Sequence, residues 1–281
     1  MKTSPIRPSL AVSLALISLL APAFSVESVQ SATALSGPAL EAFLDKAAER
    51  FKSLADPRNW SALVVSTQTE MDRKWVPETV TVVRKNVTFT DGDRDEKILE
   101  ALETKDGRTL DITAKYAEAA RKNLDRERKR RAEELAKAGT EKRRADRMAL
   151  DEILPFSAKK RPEYVFRPVE GAAPDGASPG SAVVLDVEAK VKDDKHWQGR
   201  FWFDPATADL RRAEIKPADT PAFVKEIDIV IAFDTHPSGP IVLRSFRMKL
   251  NAGFFLKHVR RIVEEEYSDY KIGTGPQGQS E

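Results

Sequence analysis

Cysteine is absent from this chain. That excludes disulfide staples, and it excludes anchoring through an acylated cysteine. The fold must hold itself together by its core. Histidine is scarce: His196, His236 and His258 are the whole supply. None belongs to an H-E-x-x-H motif or to a pair at helical spacing, so no metal site is expected. After the first 25 residues there is no long apolar run.

Catalytic signatures are missing as well. Gly176-Ala177-Ser178-Pro179-Gly180 matches the pattern of a nucleophile elbow. The residue after the serine should donate an oxyanion N–H, and here it is Pro179, which has none. Asp91-Gly92-Asp93-Arg94-Asp95-Glu96 resembles the start of a calcium loop, but its sixth position is Glu96 rather than glycine and its twelfth is Leu102. Glu264-Glu265-Glu266 and the pair Asp204 and Asp209 are acid-rich, and they read as a polar sheet face rather than as paired catalytic carboxylates. No catalytic residue and no cofactor are expected, and the chain is read as a non-enzyme.

What is present begins with an export signal. Lys2 and Arg7 precede the apolar stretch Leu10–Leu20, and small residues around Ala21–Ser25 suit a cleavage site. The stretch is shorter than the roughly 20 residues needed to span a bilayer. Residues 1–25 are expected to be removed, leaving an exported, periplasmic protein without a lipid anchor. The full chain has 46 basic and 44 acidic residues; the leader takes two basic ones with it, and the remainder is formally neutral. A neutral exported protein is not built for nucleic acid.

The expected domain covers residues 26–272, followed by a disordered tail at 273–281. Leu40, Phe43, Leu44, Ala47, Ala48, Phe51 and Leu54 recur at helical spacing, so a helix is predicted over 38–55. Strand patterns follow. Leu63, Val65, Thr67, Thr69 and Met71 share one face. Val76 to Val82 and Val87 to Phe89 read as two further short runs. Lys105-Asp106-Gly107-Arg108 reads as a hairpin turn. A helical insertion is predicted over 113–150, broken near Gly139-Thr140. Residues 168–181 read as a loop. The C-terminal part alternates most cleanly, at Val183–Val191, Phe201–Phe203, Phe223–Phe233, Ile241–Leu250 and His258–Tyr270. Period two with one polar face predicts an antiparallel sheet.

Three stretches in this part, RFWFDPATADLRRAEIKP, FVKEIDIVIAF and RRIVEEEYSDYK, resemble the outer-membrane lipoprotein-sorting, LolA-like superfamily of periplasmic proteins. The resemblance spans roughly Pro38 to Lys271. It implies an α+β fold: a strongly curved antiparallel half-barrel sheet covered by helices on its concave face, here with a long charged helical insertion. It also implies an apolar cavity for lipid or lipoprotein acyl chains, with no catalytic residue. Phe201, Phe203, Ile227, Ile229 and Ile231 are the expected ligand contacts. The same five residues would equally serve as ordinary core beneath helix 38–55.

Residues 121–147 hold twelve basic and six acidic residues. Tyr116, Leu124 and Leu135 are too sparse for a coiled coil. Glu118–Lys122, Glu127–Arg131 and Glu133–Lys137 are i,i+4 pairs worth about 0.2–0.5 kcal/mol each, which favours a solvated helix. Over 114–137 it is expected to be continuous, touching the sheet through Tyr116 and Leu124 near the cavity mouth. Arg128, Arg130 and Arg131 are the candidate contacts to an anionic membrane surface or an acidic protein partner. Two functional classes result: an exported binder of an apolar or amphipathic ligand, and an envelope interaction module acting through its charged helix without cargo. A hydrolase is the third and weakest class.

Overall fold

Strands from the two ends of the chain meet in the middle of one sheet. The computed structural model describes residues 35–54, 59–90, 93–137, 155–170, 181–254 and 257–273. The export signal, the Asp56-Pro57 helix stop, the Asp91-Gly92 turn, the break at Gly139-Thr140 and the stretch to Leu150 lie outside these residues. So do the Gly176–Gly180 motif and the tail from 274 onward.

Helix α1 covers Pro38–Leu54 and α2 covers Thr113–Lys137. The strands are β1 Asn59–Met71, β2 Pro77–Thr90, β3 Asp93–Lys105, β4 Arg108–Asp111, β5 Tyr164–Pro168 and β6 Val183–Ala189. They continue with β7 Trp197–Phe203, β8 Leu210–Pro217, β9 Val224–Thr235, β10 Ile241–Phe254 and β11 Lys257–Ile272. All eleven form one unclosed sheet in the order β4-β3-β2-β1-β11-β10-β9-β8-β7-β6-β5. Each neighbouring pair is antiparallel, and β1 on β11 joins the first strand to the last.

One strand expectation needs correction. Val76–Val82 and Val87–Phe89 are not separate runs; Arg84 and Lys85 continue the ladder, so β2 is one strand of 14 residues. Two charged residues in mid-strand looked like a break, but Lys85 is buried there among carboxylates. Strand β5 lies just before the 168–181 segment and shows no clean alternation of its own. The Asp106-Gly107 turn is as expected: both residues have positive φ, 51° and 73°, which closes the β3–β4 hairpin. Gly199 is required for a different reason. A Cβ there would sit 1.9 Å from the carbonyl oxygen of Glu214, so only glycine lets β7 approach β8.

Helix α1 starts where the sequence permits it, with Pro38 in the first turn and Gly37 at φ 52°. Leu44, Ala47 and Phe51 are buried from its inner face. They join Phe156, Leu185, Phe201, Phe203, Leu210, Phe233 and Ile241 in the apolar cluster. Phe156 stands edge-on to both Phe201 and Phe203, at centroid distances of 4.9 and 5.2 Å. Each large side chain sealed this way contributes about 1.5–3 kcal/mol.

Candidate binding face

Residues paired directly across an antiparallel ladder point to the same side of the sheet. One such row runs Leu185–Phe201–Ala213–Ile231–Phe246–Glu265–Ser66–Val83–Ala101, across nine strands. Its neighbours are Ile215–Ile229–Met248–Val263–Gln68 and Ile227–Leu250–Arg261–Glu70. Helix α1 packs on this face through the apolar cluster. Tyr116 of α2 feels the charges of Glu96 and Glu265, which lie on the same face, so both helices share it. The face changes character along the rows in three zones.

The zone under α1 is filled. Phe201 and Phe203 are both 0% exposed, beneath Phe43 and Phe156. They are core and do not border open space. Phe203 makes an edge contact with Phe43 at 5.5 Å. The helix is latched at its far end by charge. Arg50 Nε donates to Asp209 Oδ1 at 2.5 Å, and Thr235 donates its hydroxyl to Oδ2 at 3.2 Å. Asp209 is 1% exposed; burial pushes its carboxyl up, but hydrogen bonds from Arg50, Thr207 and Thr235 outweigh that and hold it below the usual value.

The middle zone is apolar but half-open. Ile229 and Ile231 touch the edge of the core cluster. Ile227, Phe246, Met248, Leu250 and Val263 are half-buried and stand outside it. At the rim, Phe223 and Val259 are 62% and 42% exposed. The strand residues among them form an apolar floor between the two helices.

The zone under α2 sets an ionic cluster among the buried side chains of Ala62, Val64, Val83, Val87 and Ala101. Lys85 Nζ lies 3.2 Å from Glu96 Oε1 and 3.9 Å from Glu265 Oε1, with its side chain only 8% exposed. Arg94 also binds Glu96. Tyr267 donates to Glu265 at 2.6 Å. Burial, then the Glu265 carboxylate, pushes the Tyr267 hydroxyl far above its ordinary value, so it stays a donor. Tyr116 is raised by burial and then by the negative charges of Glu96 and Glu265. Helix α2 is tied down at its start: Thr113 Oγ1 accepts the Ala101 N–H at 2.9 Å, and Asp111 accepts the Thr113 N–H at 2.8 Å. Further along, Arg128 donates to the Arg94 carbonyl at 3.1 Å. A gap of about 420 Å³ remains between α2 and β3, bordered by Ile98, Ala117 and Leu124 among charged residues.

No protein-family model matches this sequence, and no curated protein is significantly similar to it. Solved structures do resemble the chain. One is an outer membrane lipoprotein-sorting protein domain from Vibrio parahaemolyticus, 11% identical with a TM-score of 0.36, covering 84% of this chain and 94% of that one. A LolA superfamily protein from Nitrosomonas europaea is 12% identical, TM-score 0.34, covering 84% and 94%. A DUF1329 family protein from Desulfovibrio piger is 11% identical, TM-score 0.35, covering 84% and 93%.

Arg128 is 51% exposed, Arg130 is exposed, and Arg131 lies in α2. Tyr116 and Leu124 are half-buried while most of the helix is exposed, and the helix packs on β3 rather than on the isoleucine strand. Tyr116 and Leu124 thus meet the sheet on its helix-bearing face, as expected of the start of α2, while Phe201 and Phe203 are sealed several strands away. Among the described residues no group of three or more His, Cys, Asp or Glu could hold a metal ion. His196 has both ring nitrogens occupied, by Asp193 at 2.6 Å and Glu163 at 2.9 Å. Those two carboxylates raise its pKa, the Asp193 hydrogen bond foremost.

Sequence reasoning missed the Lys85–Glu96–Glu265 cluster. Glu265 was read as part of an ordinary polar face. The signal that could have found it is Lys85 itself, a lone cation between Val83 and Val87 on an inward-facing register.

Proposed function

We propose that this chain binds an apolar or amphipathic ligand on the helix-bearing face of its sheet, in the bay between α1 and α2, after export to the cell envelope. The observation that carries this reading is the half-open floor. Ile227, Met248, Leu250 and Val263 lie on the side of the sheet that elsewhere forms core, yet they stand outside the core cluster. Ile227, Ile229 and Ile231 are the direct contacts. Phe201 and Phe203 form the rigid backing under α1. Covering apolar floor of this kind gains roughly 25 cal/mol per Å². Register shifts at Leu243/Ser245, Ser61/Leu63 and Arg84/Lys85 add local twist, which suits a sheet curved as a half-barrel around such a bay. The role is carriage or sensing of a ligand rather than catalysis.

Organic extraction of the purified protein, read by mass spectrometry, tests it directly. An acyl-chain compound should co-purify, and Ile229→Asp, which puts a charge in the floor, should release it. A clean extract, together with no uptake of added amphiphiles, would sink the reading.

A second reading has its own observation. The outward surface of α2 carries exposed Lys122, Arg126, Lys129 and Arg130. An interaction module would use that surface on anionic lipid or an acidic protein. Sedimentation with anionic and neutral vesicles separates the readings: binding to anionic vesicles that added salt abolishes supports the second.

A further inference from the structure

Arg261 is the cation that interrupts the apolar floor. Its direct partners across the ladder are Leu250 on β10 and Glu70 on β1. Along its own strand, Val259 and Val263 flank it on the same face. The guanidinium is therefore set among aliphatic side chains, with one carboxylate beside it. Glu70 takes Nη2 at 2.9 Å and is half-exposed. Nε is buried and has no hydrogen-bond partner among the described residues.

A buried guanidinium N–H without an acceptor is costly, and it is a donor only. It calls for an oxygen acceptor. A cationic or uncharged head offers less, because the hydrogen bond is strongest when the acceptor is an anion. The exposed pair with Glu70 contributes little, so it does not compete strongly for the guanidinium. We infer that Arg261, whose side chain is 34% exposed, anchors the anionic head of an acyl-chain ligand, a carboxylate or phosphate oxygen accepting from the open part of the guanidinium while the chain lies on Leu250, Met248 and Ile227. This rests on the bay reading above and adds to it a head-group chemistry and a residue that selects it.

The test is displacement of a fluorescent apolar probe from the purified protein by dodecanoate, dodecyl phosphate and uncharged 1-dodecanol. At least one anion should bind more tightly than the alcohol. Arg261→Gln should weaken that anion about tenfold, the scale of one charge-assisted hydrogen bond, and leave the alcohol nearly unchanged. Whichever anion falls further identifies carboxylate or phosphate as the head. Arg261→Lys keeps the charge without the fork and should fall between; it serves as the readout if circular dichroism shows the Gln variant unfolded. Equal affinity for alcohol and anions, or equal loss of all three in the variant, overturns the anchor while leaving the bay intact. Failure of the wild-type protein to bind any of the three overturns both.

Discussion

Helices α1 and α2 lie on the same face of the same sheet but rest on opposite chemistry. Beneath α1 and Phe156, Phe201 and Phe203 exclude water completely, with Leu44 of the helix sealed in the same cluster. Beneath α2, Lys85 sits between Glu96 and Glu265, and two tyrosines are turned toward the carboxylates. The first arrangement gains free energy from every apolar group it seals. The second recovers in hydrogen bonds and ion pairing what it loses by taking charges out of water, and such clusters are poor sources of net stability. Helix α1 is thus held by a continuous aromatic core, whereas α2 lies over small buried side chains such as Val64, Val83 and Ala101 interrupted by charge, and is tethered at its start. The half-open floor falls between them, where neither mode reaches.

The largest effect should come from the apolar half. Phe203→Ala removes a fully buried ring that meets Phe43 and Phe156. A loss of about 3–5 kcal/mol is expected in urea unfolding. A loss below about 1 kcal/mol would mean that the α1 zone is not a packed core.

Next is the ionic half. Lys85→Met leaves Glu96 and Glu265 facing each other with less compensation, and about 3 kcal/mol should be lost. Replacing all three together, Lys85→Met with Glu96→Leu and Glu265→Leu, should recover most of that loss. If the triple variant is no better than the single one, the cluster is a source of stability and the contrast between the halves fails.

A smaller effect, with a pH signature, belongs to the α1 latch. Asp209 has a lowered pKa, so its contribution is complete above its ordinary value of 3.8 and disappears as pH falls through the lower folded value. Asp209→Asn should cost about 2 kcal/mol at neutral pH and flatten the acid limb of the stability profile below about pH 4. An unchanged acid limb would place the acid sensitivity elsewhere.

The smallest effect is expected on the surface of α2. The combined Arg128→Gln, Arg130→Gln and Arg131→Gln variant should change thermal stability by less than about 1 kcal/mol, because exposed pairs contribute little. A large loss would show that this helix is held by more than its tethered start.

Much of the fold was legible along the chain. Period-two alternation from Val183 onward marked the strands β6, β7 and β9 to β11, and the Leu40–Leu54 spacing marked α1, because local side-chain direction is set by backbone geometry alone. The Glu-to-Lys pairs and sparse apolar residues of 113–137 likewise predicted a largely exposed helix, since its stability is local. Lys85 in the middle of β2 broke the alternation and concealed the strand, because its partners Glu96 and Glu265 are 11 and 180 positions away in sequence.

Helices, strands and an antiparallel sheet were readable from residue order alone, as were the aromatic and aliphatic residues that face inward. That Phe201 and Phe203 are core while Ile227 lies on a half-open floor came from packing between distant elements. Both kinds of residue carry the same alternating pattern, and what separates them is whether α1 and Phe156 lie above. The same holds for Arg261 among its valines. Whether a buried donor has an acceptor depends on which strands lie beside it, and strand neighbours drawn from opposite ends of a chain leave no mark in local sequence.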